Sequence, residues 1–165
     1  MNYTRLRRLY INGENSFVEK QILECFRKFC YKSDPLPLLK GRTLKETNNK
    51  INDFFEKHFR GNLCFYDENV KGFAVFGEGQ KWLDESIEEF KNEKVAVLIM
   101  GATHNESLPQ AKLSLKILQE SFKILKEIYN YSVVAWNQNR VNKRKPFERM
   151  LSTLGAKKIK TCYYV

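Results

Sequence analysis

Apolar residues recur along this chain with two periods, about 2 and about 3.6, and each switch between them marks an element. Thr4 to Ile11 alternates loosely through Leu6, Leu9 and Ile11 around Arg7 and Arg8, which predicts a first strand with a basic outer face. Asn12 to Asn15 reads as a turn. Ser16 and Glu19 have the spacing of a capping box, and Val18, Ile22, Cys25, Phe26 and Phe29 then recur at helical intervals to about Tyr31. Pro35 and Pro37 stop that helix, because each biases its predecessor away from helical dihedrals. Thr43 and Glu46 repeat the capping box ahead of a second stripe, Leu44, Ile51, Phe54, Phe55 and Phe59, which Gly61 ends.

Leu63–Tyr66 and Gly72–Phe76, joined by Asp67 to Lys71, suit an antiparallel hairpin. Trp82, Leu83, Ile87 and Phe90 fall at helical intervals among acidic residues, so 80–92 is expected to be a short helix. It is either an insertion or a true crossover. Its apolar residues are expected to cover the sheet, with a protein contact as the alternative. Val95 to Met100 is an unbroken apolar run, as in a central strand buried on both faces. Ser107 to Gln110 caps a long helix with two apolar stripes, Leu115, Leu118, Phe122, Leu125 and Tyr129 beside Leu113, Ile117, Ile124 and Ile128. Val133 to Trp136 is the next strand. A helix from Pro146 would bury Phe147, Met150, Leu151 and Leu154, and Lys158 to Tyr164 would be the last strand. The order β-α-α-β-β-(α)-β-α-β-α-β predicts an α/β (α+β) fold, a mixed central sheet with helices on both faces, in one domain, 1–165.

Composition narrows the classes. A chain of 165 residues with 42% hydrophobic content can bury a core without a disulfide or metal. No apolar run approaches the ~20 residues of a membrane span, and the basic start lacks the apolar stretch of a signal peptide. Cys25, Cys30, Cys64 and Cys162 lie on separate apolar segments with no metal-ligand spacing, so no metal site is expected and the thiols read as core residues of a reducing, cytoplasmic compartment. The net charge is +10, and it is uneven. Between residues 140 and 160 stand Arg140, Lys143, Arg144, Lys145, Arg149, Lys157, Lys158 and Lys160 against Glu148 alone. Such a run fits an anionic partner, whether nucleic acid, a phosphate-bearing ligand or an acidic protein surface, and fits equally a solvated surface.

The order of elements, concentrated in Val95 to Val165, resembles the GNAT superfamily of acyl-CoA-dependent N-acyltransferases. Val95–Met100 resembles the family's central strand, Ser107–Tyr129 its long cofactor helix, Val133–Trp136 the strand that splays away, and Arg144–Ala156 the next helix, ending Leu154-Gly155-Ala156. That ending, Trp136, the Leu108-Pro109 helix start and the strand Gly72–Phe76 are similar to a divergent branch, the small acetyltransferase-like proteins of tailed phages, some of them virion components.

The resemblance implies acetyl-CoA as the cofactor and site residues at matching positions. Ser107 and Gln110, where the long helix opens, and Asn137 and Asn139, after the splayed strand, would contact the cofactor. His104 with Glu106 is the acid/base pair placed just past the central strand. Arg140, Lys143, Arg144, Lys145 and Arg149 would hold phosphates, and Trp136, Phe147, Tyr163 and Tyr164 could stack on bases, although periodicity makes most of them core. Two departures count against catalysis. No glycine stands between Gly101 and Gly155, where the family has a Gly-rich pyrophosphate turn, and the position of its general-acid tyrosine is Leu151. On that balance the sequence predicts a catalytically degenerate GNAT-fold protein, phage-type, binding nucleic acid or other virion or protein subunits in a host cytoplasm or virion. The alternative is an acetyl-CoA-dependent N-acyltransferase in which an amine attacks the thioester directly.

Overall fold

The structure, a computed structural model, describes residues 2–5, 15–33, 39–103, 110–137, 149 and 151–165. Its strands are β1 (Asn2–Arg5), β2 (Leu63–Tyr66), β3 (Gly72–Glu78), β4 (Val95–Thr103), β5 (Val133–Asn137), β6 (Lys157–Ile159) and β7 (Cys162–Tyr164). Its helices are α1 (Asn15–Ser33), α2 (Leu44–Phe54) and α3 (Gln110–Glu127). The strands form one sheet in the order β1-β2-β3-β4-β5-β7-β6. Among the described residues, only the central β4–β5 pair is parallel; every other neighbour is antiparallel. A parallel pair needs a crossover, and α3 supplies it.

The pleat sends alternate residues to opposite faces. Phe73 and Val75 of β3 meet Ile22 and Phe26 of α1 and Ile51 of α2 on one face. Ala74 and Phe76 meet Ile117, Phe122 and Leu125 of α3 on the other. Beyond the edge of α1 and α2, the first face is closed by Leu83, Ile87 and Phe90, packed on Val95, Val97, Val133 and Ala135. These three side chains therefore cover the sheet. Of the two stripes foreseen on α3, Ile117, Phe122 and Leu125 are buried, whereas Ile128 is 59% exposed at the helix end.

Local chemistry explains the boundaries. Thr43 Oγ1 accepts from the Glu46 amide at 3.1 Å, and the Glu46 carboxylate reaches back to the Arg42 amide at 2.8 Å, capping α2. The last turn of this helix, Phe55–Phe59, widens into a π-turn. Both Phe55 and Phe59 are thereby buried, and Arg60 is left to pair with Glu19 of α1 at 2.9 Å and with Glu56. At the other end of the chain Gly155, at φ 68°, closes the helical turn 151–153: its amide bonds the Ser152 carbonyl and the Ala156 amide the Leu151 carbonyl.

Three sequence expectations change. The first strand begins earlier, at Asn2, and residues 6–11 of the expected span lie outside the described residues. The expected last strand is a hairpin, β6 and β7, folded at Lys160 with φ 51°. Segment 80–92 is no helix but two short 3-10 turns, Gln80–Trp82 and Glu88–Phe90, and it is no crossover, because β3 and β4 are antiparallel neighbours. The reason is a competing partner. The Trp82 carbonyl accepts from Asn137 Nδ2 at 3.0 Å and the Asp84 amide donates to Asn137 Oδ1 at 2.9 Å, so neither enters a helical ladder.

Candidate functional site: the parting of β4 and β5

Strands β4 and β5 are paired in four rows, from Val95 and Val133 to Leu98 and Trp136. Past that row they separate. β4 runs on to Thr103 paired with β3 alone, and Asn137 of β5 is paired with Cys162 of β7. Among the described residues, the β5-facing backbone groups of β4 beyond Leu98 have no strand partner. Among the described residues, the parting therefore opens a cleft in the pairing of the sheet, along the edge of β4 that β5 has left.

A bulge sits at the same level. Val75 faces Met100 and Phe76 faces Leu98, so Ile99 is an extra residue in β4. A bulge bends its strand and raises the local twist, which turns β4 away from β5. It also resets the alternation: Ile99 and Met100 both pack toward the α1 and α2 cluster. Gly101, opposite Ala74, then returns to the α3 face.

On the α1 and α2 face, segment 80–84 lies across the base of the cleft. The Gly79 amide bonds the Val95 carbonyl at 2.8 Å, and the Trp82 indole lies directly on Gly77, where an added Cβ would come within 2.4 Å of Nε1. Only glycine fits beneath that ring. Asn137 ties the far side of the segment to β5. His58, on the π-turn, touches the Trp82 ring at 6.3 Å and the Phe54 ring at 4.6 Å between centroids. Burial, and then the Lys57 charge, hold its pKa below the ordinary 6.5. The unfolded chain thus takes up this proton at a higher pH than the folded one. Stability from His58 is present above 6.5 and is lost as pH falls through the lowered folded value. Accordingly, His58→Phe, which keeps the aromatic packing, should show a smaller drop in thermal midpoint than the parent when pH falls from about 7.5 to about 5.5.

Of the residues expected at the site, Asn137 lies at the end of the parted strand with both ends of its carboxamide engaged by 82–84. Gln110 opens α3, and Arg149 is exposed. His104, Glu106, Ser107, Asn139, Arg140, Lys143, Arg144 and Lys145, with Phe147, lie outside the described residues. Leu151 is 3% exposed in the core beneath α3. Trp136 is stacked between Phe122 and Tyr163 in the interior. It is a core residue and offers no face to a base. Among the described residues no three His, Cys, Asp or Glu side chains group as metal ligands, and no helix is long and apolar enough to cross a membrane. The four cysteines are buried and none is in a disulfide. Burial pushes the Cys64 and Cys162 thiols up, away from reactivity.

Neither the bulge nor the Asn137 bridge carries a sequence signal. The bulge is one residue in an apolar run, and the bridge joins positions more than fifty apart.

No family model and no curated protein matches the sequence. Solved structures do match. A candidate acetyltransferase of the GNAT family from Desulfovibrio desulfuricans superposes with a TM-score of 0.55 at 14% identity, over 99% of this chain and 97% of that one. A GNAT-family acetyltransferase from Bacillus anthracis gives 0.53 at 14% identity, over 100% and 96%. One from Listeria monocytogenes gives 0.52 at 11% identity, over 99% and 97%. At such identities the likeness speaks for the architecture: this chain has a GNAT-like fold.

Proposed function

We propose that the chain binds an acyl-CoA, acetyl-CoA first among them, along the parted edge of β4 and passes its acyl group to an amine. The observation that carries this reading is the coincidence of the Ile99 bulge with the row at which β5 departs. A bulge there would turn backbone N–H groups of β4 into the gap, fixed before any ligand arrives. Such donors stabilise charge developing on a carbonyl oxygen, the largest single term in many acyl transfers. The ligand supplies the activated thioester. Gln110 and its neighbours, opening α3 just after β4, would present amides and the positive end of the helix dipole to its phosphates. The pair His104 and Glu106, next in the chain after β4, would take the proton of the amine. Leu151 cannot donate a proton to a departing thiolate, so water would do so.

Titration calorimetry with acetyl-CoA tests this reading. Binding in the micromolar range is expected; no heat at high-micromolar ligand would sink it.

The buried Leu151 favours a second reading, a scaffold without catalysis that serves as a phage-type virion component or binds nucleic acid. Exposed Arg149, Lys157, Lys158 and Lys160 extend the basic run from Arg140, and in either reading the reduced, buried thiols suit a cytoplasm. In that case DNA or RNA retardation weakens steeply with salt and is lost on joint Arg144→Ala and Lys145→Ala substitution. A double variant that still retards nucleic acid as the parent does would refute it.

A further inference from the structure

We infer that segment 80–84 is a brace that fixes the width of the cleft, and that Asn137 is its latch, a positioning residue for the acyl-CoA site. This inference rests on the acyltransferase reading above. The segment touches all three strands, and its contact with β5 lies at the level where β4 and β5 divide. It is held to β3 by the Trp82 ring on Gly77, to β4 by the Gly79–Val95 backbone bond just ahead of it, and to β5 by the Asn137 carboxamide.

The latch lies where the sheet stops doing this work. Up to Leu98 and Trp136 the ladder sets the distance between β4 and β5; one residue later the ladder has ended. Asn137 is that next residue, and its carboxamide makes two bonds, donating at 3.0 Å and accepting at 2.9 Å. An asparagine is the smallest side chain that both donates and accepts through one planar group. Leu83 and Ile87, buried against Val97 and Ala135, keep the rest of the segment seated, so releasing the latch loosens the gap without unfolding the face.

Calorimetry with acetyl-CoA on four proteins tests the inference: the parent, Asn137→Ala, Trp82→Ala and the double variant. Each single substitution is expected to weaken binding about fivefold to tenfold: Asn137→Ala removes both carboxamide bonds, and Trp82→Ala keeps the backbone acceptor but removes the ring that seats the segment on Gly77. Because both release the same segment, the double variant should be no weaker than the worse single. Thr43→Ala, which costs a helix cap remote from the cleft, serves as the stability-matched control and should bind as the parent does. In Asn137→Ala the Asp84 amide should also lose protection from hydrogen exchange. Parent-like binding by Asn137→Ala, or losses that simply add, would overturn the brace and leave the acyl-CoA reading standing. If the parent itself does not bind, both fall together.

Discussion

Phe59→Ala is expected to lower the free energy of unfolding by about 3–5 kcal/mol, the largest loss from any single truncation on the α1 and α2 face. Phe59 is fully buried and is the hub of an aromatic cluster. Its ring centroid lies 5.0 Å from that of Phe26, 5.2 Å from Phe55, 5.7 Å from Phe73 and 5.9 Å from Phe54. The walls cannot collapse into the space the ring would leave. Phe73 is fixed in β3, between β2 and β4, and Phe55 is held by the π-turn. A cavity that persists adds its own cost to the lost transfer energy. Against a total stability of about 5–15 kcal/mol this removes a large fraction. Urea denaturation should show a lower midpoint with an unchanged slope. Phe17→Ala, at a side chain 68% exposed, should change stability by less than ~0.5 kcal/mol and serves as the contrast. A Phe59→Ala loss under ~1 kcal/mol would mean that the cluster repacks freely.

Periodicity carried most of the fold because it reports burial directly. The stripe Ile22, Cys25, Phe26 and Phe29 is the buried side of α1, and of the apolar run Val95 to Met100 the first three residues are buried on both faces while Leu98, Ile99 and Met100, toward the parting, are half-buried. The same signal misled at 80–92. Any segment that lowers a side chain onto a sheet every third or fourth residue shows helical spacing, and Leu83, Ile87 and Phe90 do so from irregular backbone. The β6–β7 turn was hidden for a different reason: it is made by Lys160 in the left-handed region, where no glycine or asparagine announces it. The site was legible only as a place. The strand that departs could be named from Val133 to Trp136, but the bulge that accompanies the departure is a register fact, and register belongs to pairs of strands. Asn137 was legible as an amide near the cleft. That both of its polar atoms would be engaged by 82–84 depends on a fold-level approach that no local pattern encodes.

Filling the cleft from within β4 should separate ligand binding from stability, and Gly101→Phe is the substitution that does it. Gly101 lies beyond the bulge, in the part of β4 that β5 has left, and faces the α3 side. Its backbone is not in the left-handed region. Among the described residues, a Cβ there would meet nothing closer than the Phe73 carbonyl at 3.7 Å and Leu98 Cδ1 at 3.9 Å, both ordinary contacts. The chain therefore has no conformational need of glycine at this position. Replacing it removes a flexible residue from a strand interior, worth about 0.5–1 kcal/mol in favour of the variant before any packing gain. If the missing side chain matters, it is the room that matters. A phenyl ring on this strand stands over the gap that an acyl-CoA would have to enter. Acetyl-CoA affinity should fall by about a hundredfold or more, ~2.7 kcal/mol, while the thermal midpoint stays level or rises. Gly101→Ala, with only a methyl group in the same place, should keep most of the affinity. A folded Gly101→Phe protein that binds acetyl-CoA like its parent would show that the ligand does not use this cleft. The bulge at Ile99 would then be a means of ending a sheet pairing and nothing more.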